Sequence, residues 1–230
     1  MKIGFDVISD LNLASNASLN WEGKATSLYC IVAGNISSDI KTIHQTLTHL
    51  SKFYQGVFYT LGSLEYEDAD DFESRTTELF HACHGIRNLV LLHHHVVVVD
   101  GIAITGANGW YGNTNSNDLI TELKIEEMRH EDIIYLKGSI DRLQKHLDVR
   151  KIVIVSNSVP DEKLYFGESP TEAKNQLPLS IALEADTENK VSHWIYGTYK
   201  KIVDTTFDSI NYINNGCCDK SPYWAKRIEI

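Results

Sequence analysis

Ten of the 230 residues are histidines, and neutral imidazole is the commonest metal ligand, so metal chemistry is the first hypothesis that the sequence raises. His81 and His84 have the i, i+3 spacing that places two side chains on one face of a helix, but the sequence fixes no acidic third ligand. In the run His93-His94-His95, strand neighbours point to opposite faces, so at most the outer two share an ion. We therefore predict that the triplet is a solvated junction between strands.

A second set of polar residues follows the predicted strands. In α/β sheets, ligand chemistry sits at the carboxyl ends of strands, so these ends are the better candidates for a site. The five segments are Ser9-Asp10-Leu11-Asn12, Ala33-Gly34-Asn35-Ile36-Ser37, Leu61-Gly62-Ser63-Leu64-Glu65, Ser156-Asn157-Ser158-Val159-Pro160 and Tyr196-Gly197-Thr198-Tyr199-Lys200.

We expect strands and helices to alternate along the chain, because that arrangement places the strand ends at one edge of a sheet. The helical spacing of apolar residues predicts helices over 40–53, 70–83 and 116–147, the first capped by Ser37 or Ser38 and the last broken near Gly138. Short apolar runs predict strands, with a hairpin turn at Asp100-Gly101. The predicted strands are 2–9, 27–33, 57–61, 89–92, 96–99, 102–105, 151–155, 194–196, 210–213 and 225–230.

This order of elements predicts an α/β domain with two stacked sheets covered by helices. We see no repeat and no linker, so we expect one domain over residues 1–230. The stretch at about 161–190 is polar, acidic and weakly periodic, and we predict that it is a long loop or insertion.

Charge and cysteine content exclude several classes of protein. The formal net charge of −10 argues against nucleic acid as a partner, because binding a duplex depends on neutralising phosphates. Cys30, Cys83, Cys217 and Cys218 form no C-x-x-C pair, which predicts neither a zinc finger nor a disulfide framework and favours a reducing compartment. The longest apolar run, 96–99, is too short to cross a bilayer. We expect a cytoplasmic protein that does not bind membranes.

Taken in order, the five strand ends resemble the calcineurin-like metallophosphoesterase superfamily. That family carries D-x-H, G-D, G-N-H-D/E, a later His and G-H-x-H after successive strands. Gly106-Ala107-Asn108-Gly109-Trp110 is similar to its central G-x-x-x-W turn, and Asn214-Asn215-Gly216 is similar to its C-terminal end. The resemblance implies a sandwich of two mixed β-sheets flanked by α-helices. It also implies two metal ions that polarise a phosphate ester and generate hydroxide.

Carried over residue by residue, the resemblance keeps Asp10, the first Asp of D-x-H. Asn12 stands at the His of that motif, and Asn35 stands at the bridging Asp. Ser63 and Leu64 replace the Asn ligand and the catalytic His.

The remaining motif positions are changed in the same way. Glu65 follows as in G-N-H-E. Asn157, or Ser158 if the register slips by one, replaces the next His. Thr198 and Lys200 replace both His residues of G-H-x-H.

These replacements argue against a two-metal centre. Two divalent cations need several anionic or imidazole ligands, whereas Asn, Ser and Thr offer neutral oxygens. Leu64 cannot protonate a leaving group. The Lys200 ammonium would be repelled by a metal ion, but it could replace the lost cation and pair with Asp10, so we predict a contact between these two side chains.

We therefore predict a catalytically degenerate metallophosphoesterase-like protein that needs no cofactor. It would act by binding a protein partner, a second copy of itself, or a phosphate-bearing small molecule held by Lys200, Asn12, Asn35 and Thr198. The alternative is a residual phosphodiesterase or phosphatase with one Mn²⁺ or Mg²⁺ ion on Asp10, Asn12 and Asn35.

Overall fold

The computed structural model of the protein describes residues 2–69, 71–110, 119–165, 177–199, 201–216 and 223–230. Its first sheet has five strands in the order β11-β1-β2-β3-β4, with β11 antiparallel at one edge and the other pairs parallel. The strands are β1 (Gly4–Ile8), β2 (Tyr29–Ala33), β3 (Gly56–Thr60), β4 (Leu89–Leu91) and β11 (Lys226–Glu229).

The second sheet has six strands in the order β5-β6-β7-β8-β10-β9. Its four central strands are parallel, and an antiparallel strand closes each edge. The strands are β5 (His95–Val99), β6 (Ile102–Ala107), β7 (Lys151–Ser156), β8 (Val191–Tyr196), β9 (Val203–Phe207) and β10 (Ile210–Asn214). Both sheets are mixed and flanked by helices, which confirms the predicted fold class.

Within the described residues, three α-helices cover the outer faces of the sheets. They are α1 (Ile40–Leu50), α2 (Phe72–Cys83) and α3 (Leu119–Gln144). The apolar sides of α1 and α2 pack over the first sheet, and α3 packs over the second. A third apolar cluster fills the space between the sheets. Central strands are buried on both faces, which explains why they read as continuous apolar runs in the sequence.

Two predicted details of the helices are wrong. The N-cap of α1 is Asp39, whose carboxylate accepts from the Thr42 backbone N–H at 3.0 Å, because the Ser37 hydroxyl instead donates to the Leu13 carbonyl. Helix α3 continues through Gly138 without a break, since that glycine lies on its exposed side and the buried residues before and after it keep one apolar face.

The last third of the chain contains a strand and short helices that the sequence pattern did not predict. Strand β9 was not predicted, because Asp204 and two threonines dilute its apolar pattern at the edge of the sheet. Within the predicted insertion, 166–176 lies outside the described residues. The described part holds two short 3-10 helices, Glu162–Leu164 and Leu179–Ala185, and Leu179 and Ala182 are fully buried beneath α3. In the described part of the chain, no helix combines the length and the apolar character needed to cross a membrane.

Candidate ligand site at the strand ends

The carboxyl ends of strands from both sheets meet at one edge of the sandwich. Ser9, just after β1, forms an isolated parallel bridge with Gly216, just after β10. Asn157, just after β7, donates from Nδ2 to the Ala33 carbonyl of β2 at 3.0 Å and so joins the two sheets. This meeting point holds most of the residues carried over from the sequence.

Asp10 is the central carboxylate of the site and is 4% exposed. Its Oδ1 accepts from Asn35 Nδ2 and from the Thr198 backbone N–H, both at 2.8 Å. Its Oδ2 is buried and has no hydrogen-bond donor among the described residues. Burial raises the pKa of Asp10 to about 6, although the hydrogen bonds from Asn35 and Thr198 oppose that rise. Among the described residues, the hydrogen bonds from Asn35 and Thr198 to Asp10 thus fall on one of its two oxygens.

Asn35 presents the nitrogen of its amide to Asp10. Its Oδ1 faces the other way and accepts from the Leu64 backbone N–H at 2.9 Å. The residue has a φ of 57°, which asparagine tolerates better than most residues. A side chain at Gly62 would collide with Asn35, so the glycine allows this close approach. The amide is consequently fixed from both of its ends.

Asn157 and Thr198 complete the network. Asn157 Oδ1 accepts from Thr198 Oγ1 at 2.6 Å and from the Ser63 backbone N–H at 3.1 Å. Of the two residues that the sequence left open, Asn157 enters this network, whereas Ser158 has a buried hydroxyl without a partner among the described residues. The amide oxygens of both asparagines are thus already occupied by protein donors.

Glu65 is fully buried beneath the site and has a structural role. Its Oε1 accepts from the Ile36 backbone N–H and the Tyr59 hydroxyl, both at 2.8 Å. Its Oε2 accepts from the backbone N–H groups of Gly62 at 2.9 Å and of Asn35 at 3.1 Å. Burial raises its pKa, whereas these hydrogen bonds lower it. Glu65 ties the loop after β2 to the loop after β3.

Asn12, Ser63 and Leu64, three of the residues carried over from the sequence, have uncharged side chains. Asn12 is exposed, and its Nδ2 folds back onto the Asp10 carbonyl at 3.0 Å. Ser63 is exposed, and Leu64 is half-buried. Lys200 lies outside the described residues, so its contact with Asp10 stays a prediction.

Whether these residues could bind two metal ions depends on the atoms that they offer as ligands. The described residues leave one carboxylate oxygen without a donor, while both asparagine oxygens are held by N–H or O–H groups. The group that Asn35 turns toward Asp10 is an NH₂, which cannot ligate a cation. No cluster of three or more His, Cys, Asp or Glu side chains suited to a metal ion occurs within the described ranges. The residues present here do not fit a two-metal centre.

A second polar cluster, which sequence reasoning missed, involves the histidine triplet. His94 Nε2 lies 2.5 Å from Asp132 Oδ1, and Asp132 Oδ2 accepts from the Gly109 backbone N–H at 2.7 Å. His94 stacks between His93 and Tyr135, with ring centroids 5.0 and 4.5 Å away. His94 and His95 are exposed and His93 is half-buried, so the predicted solvated junction between strands is confirmed, whereas the contact with Asp132 was not predicted. The available signal was Asp132 itself, a carboxylate on the buried stripe of α3.

The other histidine pair does not form a site. His81 and His84 are both exposed. His84 is the C-cap of α2 and has an extended backbone, so the two residues do not share one helix face as the i, i+3 spacing suggested.

Several solved structures have a fold similar to that of this chain. Phosphopantetheinyl hydrolase (PptH) from Mycobacterium tuberculosis matches with a TM-score of 0.69 and 16% identity, over 99% of this chain and 96% of that one. A candidate 5′-nucleotidase from Staphylococcus aureus matches with a TM-score of 0.56 and 13% identity, over 94% of this chain and 49% of that one. GAP50, the anchor in the inner membrane complex of Plasmodium, matches with a TM-score of 0.55 and 13% identity, over 94% and 71%.

By sequence, no protein-family model and no curated protein matches the chain. At these low identities the structural likeness concerns the fold alone. That fold is the calcineurin-like metallophosphoesterase sandwich, as the order of the strand ends predicted.

Proposed function

We propose that this protein is a binding protein with a metallophosphoesterase fold that does not carry out two-metal hydrolysis. One observation carries the proposal: Asn35 Nδ2 donates to Asp10 Oδ1 at 2.8 Å while the Leu64 N–H holds Asn35 Oδ1. The resemblance assigns Asn35 to the bridging carboxylate, and here a hydrogen-bond donor faces the remaining aspartate.

This arrangement stabilises a metal-free site. The Asn35 amide N–H donates a hydrogen bond to the Asp10 carboxylate and so stabilises the negative charge that a cation would otherwise balance. Turning the amide to offer its oxygen to a metal would break the bond to the Leu64 N–H and leave that donor buried without a partner. Such a loss costs about 1–3 kcal/mol before any metal ligand is gained.

The position that the resemblance assigns to the proton donor does not carry one. Hydrolysis of a phosphate ester usually needs a group that protonates the leaving oxygen, and His, Asp, Glu, Lys, Tyr and Cys are the side chains that do so. The resemblance assigns that role to Leu64, whose side chain carries no proton to give. The neighbouring Glu65 is occupied by four donors and is turned away from solvent.

The proposed ligand of the site is a protein surface. The described residues Asn12, Ser63 and Leu64 are neutral, and the negative charge of Asp10 favours a hydrogen-bond donor or a cation over the oxygens of a phosphate. The net charge of −10 likewise disfavours an anionic ligand. GAP50, described as an anchor within a membrane complex, has the same fold, so the fold accommodates a role in assembly.

Metal content and hydrolysis test the proposal together. We expect no Mn²⁺ or Mg²⁺ in the purified protein by mass spectrometry. No binding heat is expected on Mn²⁺ titration, and bis(p-nitrophenyl) phosphate should not be hydrolysed above the buffer rate. Mn²⁺-dependent turnover that Asp10→Ala abolishes would overturn the proposal. Turnover that Asp10→Ala retains would indicate a contaminating enzyme.

A second candidate function is a phosphodiesterase or phosphatase with a single Mn²⁺ or Mg²⁺ ion on Asp10, Asn12 and Asn35. The unpartnered Asp10 Oδ2 favours it, because an anionic oxygen without a donor is a possible ligand. This candidate predicts one bound ion per chain and loss of that ion in Asp10→Asn. A stoichiometry of zero in the native protein would exclude it.

A further inference from the structure

The exposed edges of the two sheets differ in how they are protected against pairing with other chains. On one side of the sandwich, β11 carries Lys226, Arg227 and Glu229, and Lys226 Nζ lies 2.8 Å from Asp204 Oδ2 of β9. Charged residues of this kind prevent edge strands from pairing with other chains. The opposite edge of the second sheet is β5, with the sequence His-Val-Val-Val-Val, which contains no charged residue and no proline.

In the described part of the chain, no strand pairs with the outer side of β5. Asp100 and Gly101 have φ values of 46° and 80°, the positive values that a two-residue type I′ hairpin requires. In that hairpin the flanking pair Val99 and Ile102 is hydrogen-bonded, so by alternation Val97 also directs its peptide groups toward β6. Val96 and Val98 direct theirs outward, where no described strand pairs with them.

We propose that β5 is a self-association interface in which a second copy of this chain pairs antiparallel with it about a two-fold axis at Val97. In this register Val96 of each copy lies opposite Val98 of the other, and each such pair exchanges both of its N–H···O bonds. The proposal stands independently of the proposed function, since β5 contributes no residue to the strand-end site.

Three observations favour a second copy over another occupant. The outward peptide groups are self-complementary about Val97, as a two-fold interface requires. The antiparallel register places the His95 end of one copy beside the Asp100 end of the other, which keeps like charges apart at both ends of the pairing. Val98, in the middle of the strand, is 50% exposed, which leaves an apolar side chain to be covered.

Cysteine cross-linking tests the register. In the proposed pairing the two Val97 residues form a non-hydrogen-bonded pair with Cα atoms about 4.5 Å apart, which lies within the range of a disulfide. We expect Val97→Cys to form an intermolecular disulfide under mild oxidation. Val98→Cys is the matched control, because its two copies would be diagonal neighbours about 7–8 Å apart and should cross-link far less. Peptide mapping separates this bond from any that the native cysteines form, and equal cross-linking of the two variants would overturn the register.

Proline substitution tests the interface itself. Val98→Pro removes an outward N–H that the hairpin does not use, so the monomer should keep its fold and melting temperature. In analytical ultracentrifugation we expect a dimer for the native chain and for Val98→Thr, and a twofold lower mass for Val98→Pro. A native chain that stays monomeric up to millimolar concentration, or a dimer that Val98→Pro leaves intact, would overturn the proposal. Selective pairing with a strand of another protein would also overturn it.

Discussion

Two carboxylates are buried in one hydrogen-bonded network, yet their surroundings differ sharply. Glu65 accepts four hydrogen bonds, two on each oxygen. Asp10 accepts two on Oδ1 and none on Oδ2 from the described residues. Burial raises the pKa of both groups.

The difference separates a carboxylate with all of its acceptors used from one with an oxygen that no described residue hydrogen-bonds. Each carboxylate oxygen of Glu65 already accepts two hydrogen bonds, and these bonds hold two loops together. A ligand could therefore bind Glu65 only by breaking bonds that the fold needs. Asp10 has an acceptor left over in a place where an unmet hydrogen bond is costly. The four variants below test this contrast.

The largest expected effect is that of Glu65→Ala. The substitution leaves the Tyr59 hydroxyl and three backbone N–H groups without an acceptor, at about 1–3 kcal/mol for each donor that water cannot reach. We expect the free energy of unfolding in urea to fall by about 4 kcal/mol or more. The matched control is Glu67→Ala at an exposed position, where a change within about 0.5 kcal/mol is expected. A loss below about 1 kcal/mol for Glu65→Ala would contradict a structural role.

Asp10→Asn should alter how stability depends on pH. The pKa of Asp10 is about 6 in the folded chain and about 3.9 when unfolded, so the folded state binds the extra proton. Stability from this group is present below pH 4 and is lost as the pH rises through 6, by up to about 3 kcal/mol.

Chemical unfolding at several pH values measures this effect. The native chain should lose stability between pH 4 and 7, and Asp10→Asn should lose less. The remaining decline in the variant includes the contribution of Glu65, whose pKa is also raised by burial. Parallel pH profiles for the two proteins would show that Asp10 has an ordinary titration in the fold.

We expect Asn35→Asp to enable the network to bind a divalent metal ion. It replaces the NH₂ that faces Asp10 with a second carboxylate, whose repulsion destabilises the ion-free protein by about 2 kcal/mol at neutral pH. A divalent cation between the two carboxylates should restore that stability. We expect calorimetry to detect Mn²⁺ binding in the variant and none in the native chain. Equal Mn²⁺ binding by both proteins would contradict the role that we give to the Asn35 amide.

The smallest expected effect is that of Thr198→Val. It removes the 2.6 Å hydrogen bond to Asn157 Oδ1, which the Ser63 N–H still partly satisfies, and keeps the volume of the side chain. We expect a loss of about 1 kcal/mol in the free energy of unfolding. Thr205→Val, on edge strand β9, is the control and should be neutral or slightly stabilising, because valine favours strands. A neutral Thr198→Val would indicate that solvent replaces the hydroxyl.

Much of the fold could be predicted because its elements are encoded locally. The apolar runs over β2, β3 and β7 and the helical stripe of α1 predicted elements close to those observed. Strand β9 escaped because an edge strand needs only one apolar face. The environment of His94 escaped because its partner, Asp132, lies 38 residues away on another element. For His94 the sequence held one half of the contact, a carboxylate on the buried stripe of α3, without an indication of its partner.

By itself the sequence determined most of the order of strands and helices, the resemblance of the strand ends to a metallophosphoesterase, and the replacement of histidine and aspartate by neutral residues there. Only the tertiary structure decided which atoms of those neutral residues face each other. The Thr198 N–H reaches Asp10 across 188 residues of chain, and the direction of the Asn35 amide depends on Leu64, in the loop after another strand. Residue types are local information, whereas the pairing of a donor with an acceptor depends on where distant loops meet.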